Sequence, residues 1–268
     1  MEMPRSARLN GTFYIFLSVH GCGEIMHLDR MDSKAFAKMV KKNPIVILPI
    51  GATEAHGPHL PLCTDSIQPE FVAEELAKAM SRAAVPVIIA PPLRYGECSS
   101  TRGFPGTISL SFDSLRAVVR DILSEFVRNG LRRIVVLSGH AGSAHMTALR
   151  LAAKSVVEAH PEIKTLVLSD YDLAYELLDE KGIPKDDGHG GMIETSRVMA
   201  IAPRLVKKPE KPEYRREIPR FAVLADPENY WDGVRGYPGK ASAKKGKEIN
   251  EYIVKRLADI LRRHFNVD

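Results

Sequence analysis

Cysteine is scarce in this chain of 268 residues. Cys22, Cys63 and Cys98 are the three it has, at spacings that match neither a disulfide framework nor a thiolate metal site. That excludes a small stapled secreted scaffold and fits a protein kept in a reducing cytoplasm. Long hydrophobic runs are missing too. Nothing approaches the roughly 20 apolar residues that cross a bilayer, and the stretch 13–19 lacks a convincing small-residue cleavage pattern, so neither a membrane partner nor a signal peptide is expected. No Gly-x-Gly-x-x-Gly or Walker-type run follows a strand-like segment, which argues against a nucleotide-binding domain. Internal repeats and low-complexity tracts are absent. The excess of positive charge is slight, +5 with a pI near 9.0, and Lys and Arg are spread among acidic residues. The clusters Lys207-Lys208 and Lys244-Lys245 read as solvated surface, so no nucleic-acid partner is expected, whereas an anionic small-molecule substrate remains compatible.

What is present is an ordinary globular balance, 44% hydrophobic and 26% charged, in a chain long enough for one large core. Short β-branched runs at 45–50, 85–90, 134–137 and 165–169 alternate with helical spacing. Helices are expected after the cap Asp65-Ser66, from Asp113, over about 144–158 and over 243–264 behind the cap Ser242. Such alternation predicts an α/β fold, three layers with helices on both faces of a mainly parallel central sheet. The stretch 91–110 reads as a long loop able to shape a pocket wall, and 203–219 as a surface excursion.

Chemistry concentrates at the ends of the strand-like runs. After 45–50 comes Gly-Ala-Thr-Glu-Ala-His-Gly-Pro-His-Leu-Pro-Leu-Cys-Thr-Asp, 51–65, in which Pro58 and Pro61 forbid a regular helix. Glu54 and His56 lie just past the strand's carboxyl end, where open α/β sheets place their ligands. Two residues apart on extended backbone, they point the same way and suit two neighbouring ions, with Asp65 able to bridge through its two oxygens. His140, in Ser-Gly-His-Ala-Gly at 138–142, follows the run 134–137 in the same manner. His189 sits in a glycine loop, and Glu194 falls in the first turns of the helix that follows. The plainer alternatives are a simple strand-to-helix turn at Gly139 and Gly142, and a Glu194 that only complements a helix N-terminus.

Charge favours the metal reading. Glu54, Asp65 and Glu194 carry three negative charges, His56 and His140 none, and two divalent cations four positive, which leaves one for a bridging hydroxide. Metal binding lowers the pKa of water to about 7, so hydrolysis needs no Ser or Cys nucleophile. His189, outside the ligand count, is then free to carry a proton to a leaving nitrogen.

Together these stretches resemble the creatinine amidohydrolase (creatininase) family. The resemblance rests on 51–65, Tyr95-Gly96, Phe-Pro-Gly-Thr-Ile-Ser-Leu at 104–110, 138–142, His-Gly-Gly-Met-Ile-Glu-Thr-Ser at 189–196 and Gly-Val-Arg-Gly-Tyr-Pro-Gly-Lys-Ala-Ser at 233–242, in order over roughly 26–262. It implies a dinuclear metal hydrolase of cyclic amides or formamides, assembled as a homo-oligomer such as a hexamer. By position, Glu54, Asp65 and His140 would hold one divalent ion, His56 with Asp65 the other, and His189 would be the catalytic histidine. Ligands of this type accept zinc, manganese or iron.

Two departures bear on substrate. Members active on creatinine carry a Glu two residues after the histidine that matches His140, where it binds the second ion; this chain has Gly142, and Glu194 is the candidate to replace it. Those members also set tryptophans around the substrate ring, whereas Trp231 stands alone here. Both argue against creatinine itself. Relatives with Gly at that position include a formamide hydrolase acting on a ribosylaminopyrimidine and proteins that handle peptide-derived cofactor precursors. The expected activity is cleavage of a C–N bond in a small cyclic amide. The alternatives are deformylation of a formylaminopyrimidine and, in another class, a metal-stabilised binding protein without turnover. Residues 26–268 are expected to form one domain, preceded by an extension at 1–25. His59 is expected to orient a ligand, while Trp231 could line the pocket or simply pack.

Overall fold

The computed structural model describes residues 25–178, 182–216 and 222–267. Of the expected extension only Ile25 falls among them, packed against the core; Cys22 and residues 217–219 of the surface excursion lie outside. In chain order the elements are β1 (Met26–His27), α1 (Ser33–Val40), β2 (Ile45–Ile50), α2 (Thr64–Arg82), β3 (Val87–Ile89), α3 (Phe112–Arg128), β4 (Arg133–Ser138), α4 (Ser143–Ala159), β5 (Lys164–Ser169), α5 (Asp170–Ala174), α6 (Met192–Ile201), β6 (Tyr214–Arg216), β7 (Trp231–Gly236) and α7 (Ala243–Phe265).

Strands β1 to β5 form a parallel sheet in the order β1-β3-β2-β4-β5. The continuous apolar runs have a direct cause, since successive side chains on a strand face opposite sides and both sides here are covered. Ile45, Ile47, Val135 and Leu137 pack with Val72, Leu76 and Met80 of α2 and Ile249, Ile253 and Leu257 of α7. Val46, Leu48, Ile134 and Val136 pack with Leu115, Val119 and Leu123 of α3 and Leu149, Ala152 and Val156 of α4. The expected α/β three-layer architecture is thus present. After β2 the chain winds to β3 on one side, then crosses to β4 on the other. That reversal opens a crevice at the carboxyl ends of β2 and β4.

Strand β1 and helix α1 were not expected from the sequence, and two further differences bear on the site. Helix α2 begins at Thr64 rather than behind Asp65-Ser66, because the Thr64 hydroxyl turns back to the Pro61 carbonyl (2.7 Å) and Cys63 occupies the cap position. Asp65 is therefore inside the first turn, with its carboxylate released from capping. The excursion after 203 also contains β6, paired antiparallel with β7. The first turn of α2 rests directly on the strand ends: a methyl group at Gly139 would stand 2.1 Å from the Asp65 carbonyl oxygen, and one at Gly51 2.5 Å from it. Glycine at both positions lets the turn descend between β2 and β4.

Candidate metal centre

Four backbone segments converge in that crevice. Glu54 and His56 belong to the loop after β2, which is pinned from outside by Ile108 N–H to Thr53 C=O (2.9 Å) and Ala55 N–H to the Thr107 hydroxyl (3.0 Å). Asp65 comes from the first turn of α2 and His140 from the end of β4. Glu194 enters from the first turn of α6, across the cleft. All five are buried, Glu54 and His56 fully and Asp65 to 1% exposure.

Asp65 stands between the two imidazoles. Its Oδ1 is 2.9 Å from His56 Nε2 and its Oδ2 is 3.0 Å from His140 Nδ1. Glu54 Oε2 completes the second side at 2.9 Å from His140 Nδ1, and Glu194 Oε2 completes the first at 3.5 Å from His56 Nε2. Yet His56 Nε2, Asp65 Oδ2 and Glu54 Oε2 have no aligned hydrogen-bond partner. Buried polar atoms this close without donating to one another are what a shared cation would satisfy. The outer ring nitrogens agree. His56 Nδ1–H donates to the Glu54 carbonyl (3.0 Å) and His140 Nε2–H to the Glu97 carbonyl (3.0 Å), so each ring turns its other nitrogen to the carboxylates. The residues therefore fit a metal ion: the donor atoms of His56, Asp65 and Glu194, those of Glu54, Cys98 and His140, and those of Glu54, His56 and His189 each lie within 4.8 Å of one another.

The electrostatics show how much positive charge this pocket favours. Burial would depress both imidazoles, but Asp65 and Glu194 hold His56 up to about 10, and Glu54 with Asp65 raises His140 well above its ordinary value. Asp65 is held well below the carboxylate range, burial being outweighed by His56 and His140. Burial lifts Glu194 to about 7 against the pull of His56. Glu194 also accepts Gly190 N–H (2.5 Å), so the plainer helix-terminus role coexists with its place beside His56.

His189 stacks on His56 with ring centroids 4.1 Å apart, and its Nε2–H donates to the Ala55 carbonyl (2.8 Å). Nδ1 is left as a proton acceptor. Burial and the neighbouring His56 charge lower its pKa to about 4. His59 bonds the Gly190 carbonyl and the Thr195 hydroxyl (both 3.0 Å), so it orders the turn between His189 and Glu194 rather than orienting a ligand directly. His145 is fully buried: its Nε2–H meets the Ser138 hydroxyl (3.0 Å), and its Nδ1 accepts Glu97 N–H (3.3 Å). It thereby fixes the carbonyl that orients His140.

Sequence reasoning missed three contributors from the loop 91–110. The Thr101 hydroxyl donates to Glu54 Oε1, the Glu97 carbonyl holds His140, and Cys98 lies beside Glu54 and His140. Burial and the Glu54 charge push the Cys98 thiol far above its usual range. A cavity of about 740 Å³ opens over Asp65, His140, His189 and Glu194, walled by Trp231, whose ring lies 5.5 Å from that of His189. Gly142 belongs to this wall, and a methyl group there would stand 2.5 Å from His140 Nε2.

The model of the creatininase family, described as creatinine amidohydrolase, matches residues 29–261. A creatinine amidohydrolase of Pseudomonas putida is 30% identical over 246 residues, 85% of this chain and 93% of that one. A mycofactocin precursor peptide peptidase of Mycolicibacterium smegmatis is 31% identical over 239 residues, 82% of this chain and 85% of its own length. Among solved structures, a manganese form of creatininase superimposes with a TM-score of 0.79 at 27% identity, covering 90% of this chain and 99% of that one. A zinc–zinc form of a creatininase mutant gives 0.77 at 28% identity, with the same coverage.

Proposed function

The chain belongs to the creatininase family and is a hydrolase of carbon–nitrogen bonds, and from that premise we propose that it uses two divalent ions to open a small cyclic amide. The observation that carries this reading is the division of Asp65, one oxygen toward His56 and one toward His140. Glu54, Asp65 and His140 would hold the first ion; Asp65, His56 and Glu194 would hold the second. Bound there, two divalent cations supply Lewis acidity and bring the pKa of water toward about 7. Zinc, manganese and iron all suit these donors, and zinc and manganese are the metals named for the solved creatininases above.

In the reaction water adds to the carbonyl carbon, the C–N bond breaks with its electrons on nitrogen, and nitrogen gains a proton. His189 serves that transfer, since its Nδ1 accepts a proton while its Nε2–H keeps the ring anchored on Ala55. Glu97 and His145 keep His140 in the ligating orientation. The protein acts as a homo-oligomer in the cytoplasm, on a small-molecule substrate.

A second reading, a linear amide such as a formamide or a peptide bond, is favoured by the wall at 141–144. Ala141, Gly142, Ser143 and Ala144 are all small and leave a cavity of about 740 Å³, and one similar protein is a peptide peptidase. Loading the protein with zinc, manganese or ferrous iron, counting ions, and screening lactams and formamides tests both. Two ions per chain with ring opening supports the first reading, and formate or amine release the second. One tightly held ion without turnover would return the protein to the binding-module class.

A further inference from the structure

The cavity is unevenly charged in a way the hydrolytic centre does not require. Glu97 lines the wall beside His140, its carboxylate held by Ser99 N–H (3.2 Å), while Arg235 lines the wall beside Gly188 and His189. Among the described residues around the cavity, Arg235 is the one Lys or Arg. Its side chain lies along Gly188, where a methyl group would touch its Cδ at 3.5 Å. Nε–H donates to the Asp186 backbone carbonyl (3.2 Å), not to a carboxylate; the Asp186 carboxylate instead accepts the Tyr237 hydroxyl (3.0 Å). Among the described residues no acceptor meets the two terminal nitrogens. The backbone holds this residue in register with the catalytic loop through Arg235 N–H to His189 C=O (2.6 Å). Tyr175, 38% exposed, lines the same cavity.

We propose that Arg235 and Tyr175 form a subsite for an anionic group of the substrate, a carboxylate or phosphate carried beside the scissile amide. This rests on the hydrolytic reading above. A planar guanidinium with an open edge and a phenol donor match the geometry of either oxyanion. Such a group held on the His189 wall leaves the amide over the ligand cluster. Glu97, beside His140, disfavours an anion at that part of the cavity and so sets the direction of binding.

The test uses the zinc- or manganese-loaded protein and matched pairs: 5-oxoproline with 5-oxoprolinamide, N-formylglycine with N-formylglycinamide, and N-formylaminoethyl phosphate with N-formylethanolamine. Binding is measured by calorimetry and turnover by amine release. The anionic member of at least one pair is expected to have the lower KM, and the pair in which it does separates carboxylate from phosphate. Arg235→Gln raises KM for that member about tenfold or more, with a smaller change in kcat, and Tyr175→Phe does so more weakly. Lys208→Gln, an exposed charge outside the cavity, leaves the preference intact, which excludes general charge steering. Equal binding of both members in every pair, or a preference that survives Arg235→Gln, overturns the subsite even if the amides are hydrolysed. Preferential binding through Arg235 without hydrolysis of any pair sinks the hydrolytic reading and leaves the subsite standing.

Discussion

At the scale of single residues, Asp65 is the side chain on which both halves of the proposed centre would depend. Asp65→Ala removes one donor from each set and leaves His56 and His140 facing a single carboxylate each, so both ions should be lost by elemental analysis while the far-ultraviolet spectrum stays native. Two retained ions would show that it does not bridge. His189→Ala should behave in the opposite way, keeping its metal and slowing turnover by about 10²-fold; loss of an ion instead would make His189 a ligand. Glu54, His56, Asp65 and His140 were legible as candidates because donors recur after apolar runs, among glycines and prolines that no core needs, and His189 and Glu194 because they stand in a glycine loop and the helix it opens. Thr101, Cys98 and Glu97 were not. They act through a hydroxyl, a thiol and a backbone carbonyl on a loop without periodicity, and their placement depends on how 104–108 packs against 53–55.

Elements decide where those side chains stand. The sheet and its covering helices could be read from periodicity, since both faces of β2 and β4 are apolar and Leu115, Val119, Leu149 and Val156 recur at helical spacing. The start of α2 could not, because Asp and Ser are good caps in general and only the crevice at the ends of β2 and β4 draws Asp65 inward instead. Gly139 is the contact that permits this. In Gly139→Ala the new methyl would lie 2.1 Å from the Asp65 carbonyl oxygen and 2.5 Å from Pro69 Cδ, both parts of a buried helix turn that cannot swing aside. The turn must lift, at a cost of about 1–3 kcal/mol. Urea unfolding should register that loss, and zinc titration should show weaker binding at both sets. Wild-type affinity in a destabilised variant would mean that Asp65 reaches the ions without the turn's close seating.

For the whole molecule, the centre is a concentration of buried carboxylate that something positive must offset, and pH decides what. Without ions, protons on His56 and His140 take that part. Their folded pKa values lie above the ordinary 6.5, so their contribution is complete below pH 6.5 and is lost as pH rises, through about 10 for His56. His59 and His189, held near 4 by burial, work the other way: the stability they permit is present above pH 6.5 and lost as pH falls through about 4. Ion-free protein should therefore weaken on both sides of pH 6.5. Cations bound at the proposed centre would displace the protons from His56 and His140, so ion binding should strengthen as pH rises. At an ion concentration 100-fold above Kd, one site adds about 2.7 kcal/mol, which in a chain of this size raises Tm by about 5–10 °C. Thermal melts at pH 6.5, 7.5 and 8.5, with zinc or after chelation, should give two curves that separate steadily as pH increases. A separation that shrinks with pH, or no separation for zinc, manganese or ferrous iron, would mean that the buried carboxylates are neutralised by protons alone.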